Sequence, residues 1–373
     1  NQIAAMQPCR PDRLPLPADA LDRAALINPV AAAGRALARY DGALATLPNP
    51  QLLLGPLTAN EALLSSRIEG TQATLDEVLE ADAGAIAPAE RRNDIVEVQN
   101  YRAAVSIGAE LLAERGLSLS LVRELHQRLM QGARGGDRSP GRFRTEQNWI
   151  GRPGATIEQA RFVPPDPVTM GDALENLAGF MSGDADDPIL ATALAHAQFE
   201  IIHPFTDGNG RVGRMLIPLI LTHRGAIAGP SFYVSQFLED RRSEYYDRLL
   251  AITARGDWEG WVTFFCEAIE VQAARNLDRV RALQALKIEM RQAFGEVTGS
   301  RHASAAVDAF FKRPSLTGPE FLSEVGIDNR ATAGNMLRQL EQAGVIECSQ
   351  RGAGRRPSRY VMRRLIRTAE ARP

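Results

Sequence analysis

Apolar residues recur at three-to-four spacing along most of the chain, and the strict alternation typical of strands is scarce. Ala, Leu, Glu, Arg and Gln dominate these stretches, so the pattern predicts a mainly α-helical protein. In chain order it predicts helices over residues 29–45, 58–69, 93–115, 120–131, 187–202, 214–223, 235–253, 258–295, 303–311, 318–324 and 329–343.

Local residues mark several helix ends. Thr58 with Glu61 three positions later has the form of a capping box, which would open the second helix near residue 58. Gly70 would end that helix in a left-handed conformation. The helical pattern breaks up over residues 132–167, where glycines, prolines and short apolar runs predict a loop containing a small β-hairpin.

Beyond residues 295–303 the pattern changes to short helices followed by two strands, Val345–Cys348 and Ser358–Met362. A helix-turn-helix followed by a basic β-ribbon is the layout of a winged-helix domain. The sequence therefore predicts three regions: an N-terminal helical region over residues 1–115, a core over 116–295 and a winged helix-turn-helix domain over 300–373.

Composition is that of a globular protein. The 373 residues are 45% hydrophobic and 24% charged, with a formal net charge of −2, which gives no overall attraction to nucleic acid or anionic membrane. Three widely spaced cysteines fit neither a disulfide framework nor a zinc motif, so a reducing cytoplasmic setting is expected. No run resembles a signal peptide or a membrane span.

Residues that could bind phosphate, hold a metal ion or accept a proton are most concentrated between residues 203 and 214. The backbone N–H groups of residues 208–210 can form an anion-binding nest, and a following helix N-terminus adds further donors. Arg211 and Arg214 can each bind phosphate oxygens, Asp207 can hold Mg²⁺, and His203 can take a proton from a hydroxyl. The alternatives are a hairpin turn at Asp-Gly-Asn-Gly and a purely structural histidine.

The stretch from His203 to Arg214 resembles the defining motif of the Fic family, His-Pro-Phe-x-(Asp/Glu)-Gly-Asn-Gly-Arg-x-x-Arg, at every fixed position. Residues 140–144, 148–151 and 162–165 resemble the family segment that leads into and through its target-docking flap. Tyr245-Tyr246 and Gly256-Asp257-Trp258 resemble its downstream helices. The resemblance implies a Fic-type helical bundle with a small β-hairpin flap.

The resemblance also implies an activity, the transfer of AMP from ATP to a Ser, Thr or Tyr hydroxyl of an unidentified target protein. His203 would be the base and Asp207 the Mg²⁺ ligand, and Tyr246 would lie on the adenine side. The phosphates would be held by Gly208, Asn209 (through its side chain), Gly210, Arg211 and Arg214. The flap, with Asn148, Trp149, Ile150 and Gly151, would dock the target chain by β-augmentation.

A second family motif lies upstream. Ser65-Ser66-Arg67-Ile68-Glu69-Gly70 is similar to the inhibitory motif (Ser/Thr)-x-x-x-Glu-(Gly/Asn), on a helix of about residues 58–70. The implied role is that Glu69 pairs with Arg214 where the ATP γ-phosphate would bind, with Ser65 on the same helical face. Alternatively, Glu69 is only a solvated residue. In some relatives the same glutamate helps to remove AMP, so net de-AMPylation is a further alternative.

The C-terminal region could have a separate function in binding DNA. Its basic residues could meet DNA phosphates, which would make the protein a transcriptional regulator with a Fic sensing module. Winged helices also serve as protein-docking platforms, and basic clusters are often only solvated. Homodimer formation is compatible with the sequence. The candidate DNA contacts are Arg330, Arg338, Arg351, Arg355, Arg356 and Arg359.

Overall fold

A computed structural model describes residues 7–47, 49–82, 84, 86–132, 139–152, 154–354 and 356–370. The prediction of a mainly helical protein is confirmed. The helices of the described chain are α1 Arg23–Ala45, α2 Pro50–Ile68, α3 Leu75–Asp82, α4 Arg92–Arg115, α5 Leu119–Leu129, α6 Pro167–Ser182, α7 Pro188–Ile202, α8 Asn209–His223, α9 Ser235–Asp240, α10 Arg242–Arg255, α11 Trp258–Thr298, α12 Ala303–Lys312, α13 Gly318–Val325, α14 Arg330–Gln342 and α15 Arg363–Glu370.

The chain forms two compact units. The first contains Asn1–Asp41, Leu64–Thr71 and Gln99–Ala274, and the second contains the remaining segments, Gly42–Leu63, Gln72–Val98 and Arg275–Pro373. Helices α1, α2, α4 and α11 each contribute residues to both units. The division into three sequence regions stays a prediction.

Helices α7 and α8 form the centre of the first unit. Nearly every residue of α7 is buried, as expected for a helix that is apolar on all faces. Asp187 caps it by accepting hydrogen bonds from the backbone N–H groups of Ile189 and Leu190, as predicted. Helix α8 is also almost wholly buried and packs along α7. The motif of residues 203–214 occupies the loop that joins these two helices and the first turns of α8.

The second unit contains a three-stranded antiparallel sheet in the order β1-β3-β2, with β1 Ser315–Thr317, β2 Glu347–Gln350 and β3 Arg359–Val361. Strands β2 and β3 are the predicted ribbon, whereas β1 was not predicted. Helices α12, α13 and α14 pack in succession within the same unit. The order of elements agrees with the predicted helix-turn-helix and ribbon, and the winged-helix assignment itself stays a prediction.

Several predicted boundaries are wrong. The capping box at Thr58 does not exist, because α2 begins at Pro50 and the Thr58 hydroxyl donates to the carbonyl oxygen of Leu54 one turn earlier. Pro56 therefore lies inside the helix, although it has no backbone N–H to donate to the preceding turn. The helix predicted over 235–253 is interrupted at Arg241, and the helix predicted from Arg214 begins at Asn209. Helices α3, α6 and α15 were not predicted.

The expected hairpin between residues 148 and 165 is a loop closed by a single antiparallel bridge, Ile150 to Phe162. A short 3₁₀ turn, Ile157–Gln159, lies between the two partners. Glycines near the turn give little support to a longer ladder, which accounts for the short pairing. Among the helices that the structure describes, none is both long and apolar enough to cross a bilayer.

Candidate functional site

His203 lies directly beyond the end of α7 in a left-handed backbone conformation, with φ 49° and ψ 62°. Its backbone N–H still donates to the carbonyl oxygen of Phe199, so the residue closes the last turn of the helix. Pro204 follows and cannot continue the helix. A residue other than glycine in this conformation is uncommon, so its surroundings must hold it there.

Arg144 is one group that holds this turn. Its side chain is buried and its Nε donates to the carbonyl oxygen of His203 at 3.0 Å, while other guanidinium nitrogens donate to the carbonyl oxygens of Glu146 and Pro165. The backbone N–H of Arg144 donates to Pro204. The guanidinium therefore satisfies carbonyl oxygens that would otherwise be buried without donors. The sequence alone assigned no role to Arg144.

The loop after His203 is organised by Asn209. Its side-chain oxygen accepts from the backbone N–H of Phe205, and its side-chain nitrogen donates to the carbonyl oxygen of Phe205, each at 2.8 Å. The Asn209 side chain is buried and makes both of these contacts with Phe205. Its expected phosphate contact stays a prediction. Gly208 has φ 79°, and a Cβ there would press against Met130 and Leu129.

His126 is a second residue with no role assigned from the sequence. It stacks on Phe205 with ring centroids 3.7 Å apart, and its Nε2 bonds to the carbonyl oxygen of Asp207 at 3.0 Å. Its Nδ1 accepts from the backbone N–H of Gly141 at 2.9 Å. Burial lowers the pKa of His126 to about 4, so the ring is neutral and Nε2 is the donor. The ring fixes the turn that carries Asp207.

Arg214 is fully buried on α8 and faces the motif that ends α2. Its Nε donates to Ser65 Oγ at 2.8 Å, and its Nη2 donates both to the Ser65 carbonyl oxygen and to Glu69 Oε1 at 2.7 Å. Glu69 Oε1 also lies over the first turn of α8, where a Cβ on Gly210 would collide with it. The predicted pairing of Glu69 with Arg214 is therefore present in the geometry.

The charges of the cluster influence one another. Burial opposes ionisation of Glu69, but Arg214 outweighs it and holds the pKa of that carboxyl below its usual range. Burial also lowers the pKa of His203 to about 4, against the opposing field of Glu69. His203 is thus a neutral imidazole near pH 7, the form that can accept a proton.

One cleft of about 1180 Å³ in the first unit contains most of the predicted site. Trp149 and Ile150 of the flap are 43% and 36% exposed, so this side of the cleft offers apolar surface to a binding chain. The Asn148 side chain donates to the carbonyl oxygen of Phe205 at 3.3 Å. Predicted residues that line the cleft are Glu69, Trp149, Ile150, Gly151, His203, Gly210, Arg214 and Tyr246.

Asp207 and Arg211 lie beside this lining. Asp207 Oδ1 accepts from the backbone N–H of Gly208 at 2.6 Å and is 3.5 Å from Arg211 Nη2, and its side chain is 34% exposed. No group of three or more His, Cys, Asp or Glu residues that could bind a metal occurs in the described ranges. A single accessible carboxylate fits Mg²⁺, which in nucleotide sites keeps waters and takes one or two carboxylates plus phosphates.

The C-terminal arginines differ in their surroundings. Arg351 is bound to Glu341 by both terminal nitrogens, and Arg359 is buried with Nη1 on Gln350. Arg330, Arg338 and Arg356 are exposed, whereas Arg355 lies outside the residues that the structure describes. The positive charge of the predicted wing is thus partly neutralised within the second unit.

Two family models match the chain. The model described as Fic/DOC family N-terminal matches residues 27–110, and the model described as Fic/DOC family matches residues 116–221. The chain is 27% identical over 209 residues to "Protein adenylyltransferase fic-1" of Caenorhabditis elegans, which covers 54% of this chain and 37% of that protein. It is 28% identical over 170 residues to "Protein adenylyltransferase Fic" of Drosophila mojavensis, covering 44% and 30%.

Solved structures share the fold. A Fic family protein from Desulfovibrio desulfuricans superposes with a TM-score of 0.59 at 22% identity, covering 95% of this chain and 98% of that chain. A segment of C. elegans Fic-1 superposes with a TM-score of 0.53 at 21% identity, covering 69% and 75%. The predicted Fic-type helical bundle is confirmed. The chain spans about a third of the length of the two curated relatives.

Proposed function

Because the chain belongs to the Fic/DOC family, we propose that it is a protein adenylyltransferase whose activity is restrained by Glu69. The reaction would move AMP from ATP to a Ser, Thr or Tyr hydroxyl of a target protein and release diphosphate. The observation that carries the proposal is the meeting of His203, Gly210 and Arg214 in one cleft, with Glu69 over the helix N-terminus. The curated relatives are named as adenylyltransferases, which supports the same conclusion.

His203 is the proposed base. It would accept the proton of the target hydroxyl as the hydroxyl oxygen bonds to the α-phosphorus and the bond to the diphosphate oxygen breaks. Its low pKa in the free protein results from burial, and an adjacent triphosphate would favour the protonated ring. The left-handed turn that Arg144 holds supports this role, because it fixes the position of the imidazole before substrate binds.

The start of α8 is the proposed phosphate site. The free backbone N–H groups at a helix N-terminus attract anions, and Gly208 and Gly210 leave room for phosphate oxygens to approach the backbone. Arg211 and Arg214 would neutralise the more distal phosphates. Asp207 would hold Mg²⁺, which would neutralise phosphate charge. We place Tyr246 on the adenine side of the same cleft.

Glu69 is the proposed inhibitor, with Ser65 as its support. Glu69 competes directly for Arg214 Nη2, and its carboxylate lies where negative phosphate oxygens would approach the helix N-terminus. Ser65 binds the same guanidinium and fixes its orientation toward Glu69. A carboxylate and a γ-phosphate cannot both occupy this position, so ATP would bind without its α-phosphate aligned for attack.

The flap is the proposed docking element for the target. Exposed Trp149 and Ile150 offer apolar contacts, and Gly151 leaves the backbone accessible for pairing with an extended segment. Such pairing would hold the target hydroxyl in line with the α-phosphorus. Mass spectrometry of a cell lysate incubated with the Glu69→Gly variant and isotopically labelled ATP tests this function. AMP on hydroxyl side chains of one or a few proteins is expected, and an unmodified lysate would refute it.

The direction of the reaction is tested separately. An AMP-modified target, once identified, is mixed with the wild-type protein without ATP, and free AMP is measured. We expect slow or no release, with Glu69 acting as an inhibitor. Rapid release that requires Glu69 would instead make net de-AMPylation the main activity.

A second function is proposed for the second unit, DNA contact through its exposed arginines. The helix-turn-helix and ribbon elements support it, and of the candidate arginines that the structure describes, Arg330, Arg338 and Arg356 are exposed. Arg351 is paired with Glu341. A mobility shift that weakens with salt and is lost in Arg330→Ala/Arg338→Ala would support DNA binding. A salt-insensitive result, or no shift at all, would favour protein docking.

We also propose that the protein functions in the reducing environment of the cytoplasm. Within the described residues Cys9, Cys266 and Cys348 are free thiols, and burial raises the pKa of the first two well above the usual thiol range. Free thiols support a reducing cytoplasm. A homodimer is the proposed oligomer, and light scattering of the purified protein would distinguish it from a monomer.

A further inference from the structure

The cleft of the first unit lies between the flap and helix α10. The flap contributes Trp149, Gly151 and Arg152 to the lining. The lining residues of α10 follow the helical period along one face and are Arg242, Tyr246, Leu249, Leu250 and Thr253. A salt bridge between Arg161 Nη2 and Asp247 Oδ1, 2.5 Å apart, joins the flap loop to α10. A chain that docks on the flap therefore lies beside this face of α10.

The arginines that line the cleft differ in whether they have partners. Of the four, Arg214 is paired with Glu69, and Arg161 with the carboxylate of α10. Arg152 and Arg242 are exposed, and neither forms an ion pair with a carboxylate in the part of the chain that the structure describes. One of them lies on the flap and the other on α10, so each side of the cleft offers a positive charge.

Neighbouring carboxylates do not offset these two charges. Glu244 of α10 is 3.2 Å from Arg248, so its charge is matched on its own helix. Glu200 lies against Gly213 of α8 and so belongs to the part of the cleft that α7 and α8 form. Because the whole chain has a formal net charge of −2, the positive charge at the flap and α10 is a local feature and not a property of the whole surface.

We infer that the target segment that docks on the flap is acidic, with Asp or Glu close in sequence to the modified hydroxyl residue. The inference rests on the proposed function, in which the flap binds the target chain. Successive side chains of an extended segment point in opposite directions, so residues that flank the hydroxyl can contact both sides of the cleft. A carboxylate beside Arg152 or Arg242 would form a charge-assisted hydrogen bond.

ATP is the other anion that could bind these two arginines. Its triphosphate is matched in the proposed function by the start of α8 and by Arg214. Arg242 lies one helical turn before Tyr246, on the adenine side, and adenine carries no negative charge. Arg152 directly follows Gly151 of the docking segment. Both charges are therefore available to the target chain.

Peptide binding tests the inference without catalysis. Three fluorescein-labelled peptides share one Thr-containing sequence and differ only in the residues that flank the Thr, which are Glu, Gln or Lys. Their affinities for the full wild-type chain are measured by fluorescence anisotropy. The Glu peptide should bind at least about tenfold more tightly than the Lys peptide, and the difference should shrink with salt. Equal affinities, or no binding of the Glu peptide, would overturn the inference.

Charge reversal assigns the preference to the cleft. Arg152→Glu/Arg242→Glu should bind the Lys peptide more tightly than the Glu peptide. The matched control is Arg35→Glu/Arg39→Glu, which changes the net charge equally at two exposed arginines of α1 that are not among the lining residues. The control should keep the preference of the wild type. Loss of the preference in the control as well would show that the overall charge causes it, and the inference would be wrong.

ATP affinity separates the two possible anions. In the Glu69→Gly background, calorimetry should give similar ATP dissociation constants with and without Arg152→Glu/Arg242→Glu. If the charge reversal weakens ATP binding as strongly as it weakens binding of the Glu peptide, the two arginines bind the nucleotide and the inference fails.

The modified sites themselves give a final readout. In a lysate treated with the Glu69→Gly protein and labelled ATP, mass spectrometry should find modified hydroxyls flanked by Asp or Glu. Adding Arg152→Glu/Arg242→Glu should reduce modification of those sites at least about tenfold. Unchanged modification of the same sites would contradict the inference. If the Glu peptide binds as expected but neither protein modifies any site, the proposed function fails and the acidic preference stands.

Discussion

Glu69 Oε1 and Arg214 Nη2 are 2.7 Å apart, and this ion pair joins the end of α2 to a fully buried guanidinium on α8. Arg214 has no side-chain exposure, whereas Glu69 is 32% exposed. The carboxylate is therefore the mobile partner, because it can turn toward solvent while the guanidinium cannot. Displacing Glu69 leaves the positive charge in place for a phosphate.

The first prediction concerns release of this restraint. Glu69→Gly removes the carboxylate and opens the space above Gly210, so AMP transfer should rise at least about tenfold. Glu69→Gln keeps the shape but weakens the pairing with Arg214, so it should rise less. Incorporation of labelled AMP into protein is the readout. Equal labelling of wild type and Glu69→Gly would contradict inhibition.

The second prediction concerns the guanidinium itself. Arg214→Lys replaces a planar group that binds Ser65 Oγ, the Ser65 carbonyl and Glu69 with a single ammonium, which cannot reach all three. In the Glu69→Gly background it should weaken ATP binding by roughly tenfold, as measured by calorimetry. Arg255→Lys, at an exposed arginine, is the control and should leave the affinity unchanged.

The third prediction separates positioning from binding. Arg144→Ala leaves the carbonyl oxygens of His203 and Pro165 without their donor and frees the turn that orients the imidazole. The free energy of unfolding should fall by about 2–4 kcal/mol. Turnover in the Glu69→Gly background should fall far more than ATP affinity. A variant that loses ATP affinity and turnover equally would argue against a positioning role.

The fourth prediction is a pH dependence of stability. The pKa of His126 is lowered by burial to about 4 in the folded protein, so its contribution is present above about pH 6.5 and is lost as the pH falls toward 4. The loss is on the order of 3 kcal/mol. His126→Phe keeps the stack on Phe205 but cannot titrate. Urea unfolding at two pH values should show a smaller pH effect in the variant, together with lower stability near pH 7.

The chemistry of the motif was accessible from the sequence because its residues are contiguous. His203 and Arg214 are the two ends of one short continuous motif, so their proximity follows largely from chain connectivity. The contact of Glu69 with Arg214 was predicted only through the family resemblance, since 145 positions separate the two residues. Helix periodicity also identified most elements, as its physical basis is local.

Other features could not be predicted because they depend on tertiary packing. Pro56 lies inside α2, although an isolated helix would be broken there. His126 and Arg144 hold the loop by hydrogen bonds to the backbone carbonyl oxygens of Asp207 and His203. Contacts to the backbone cannot be predicted from residue types. His196 bonds both to the carbonyl oxygen of Gly213 and to the hydroxyl of Tyr245, so one buried ring links residues of α8 and α10. Long-range contacts of this kind leave no spacing pattern.

The most direct measurement is the transfer of label from α-³²P-ATP to protein by Glu69→Gly and by Glu69→Gly/His203→Ala, with Mg²⁺ and with a chelator. The Glu69→Gly protein should label strongly with Mg²⁺ and weakly without it. The double variant should bind ATP with similar affinity yet fail to label. Labelling that persists without His203, in protein of normal stability, would contradict the role of this imidazole as the base.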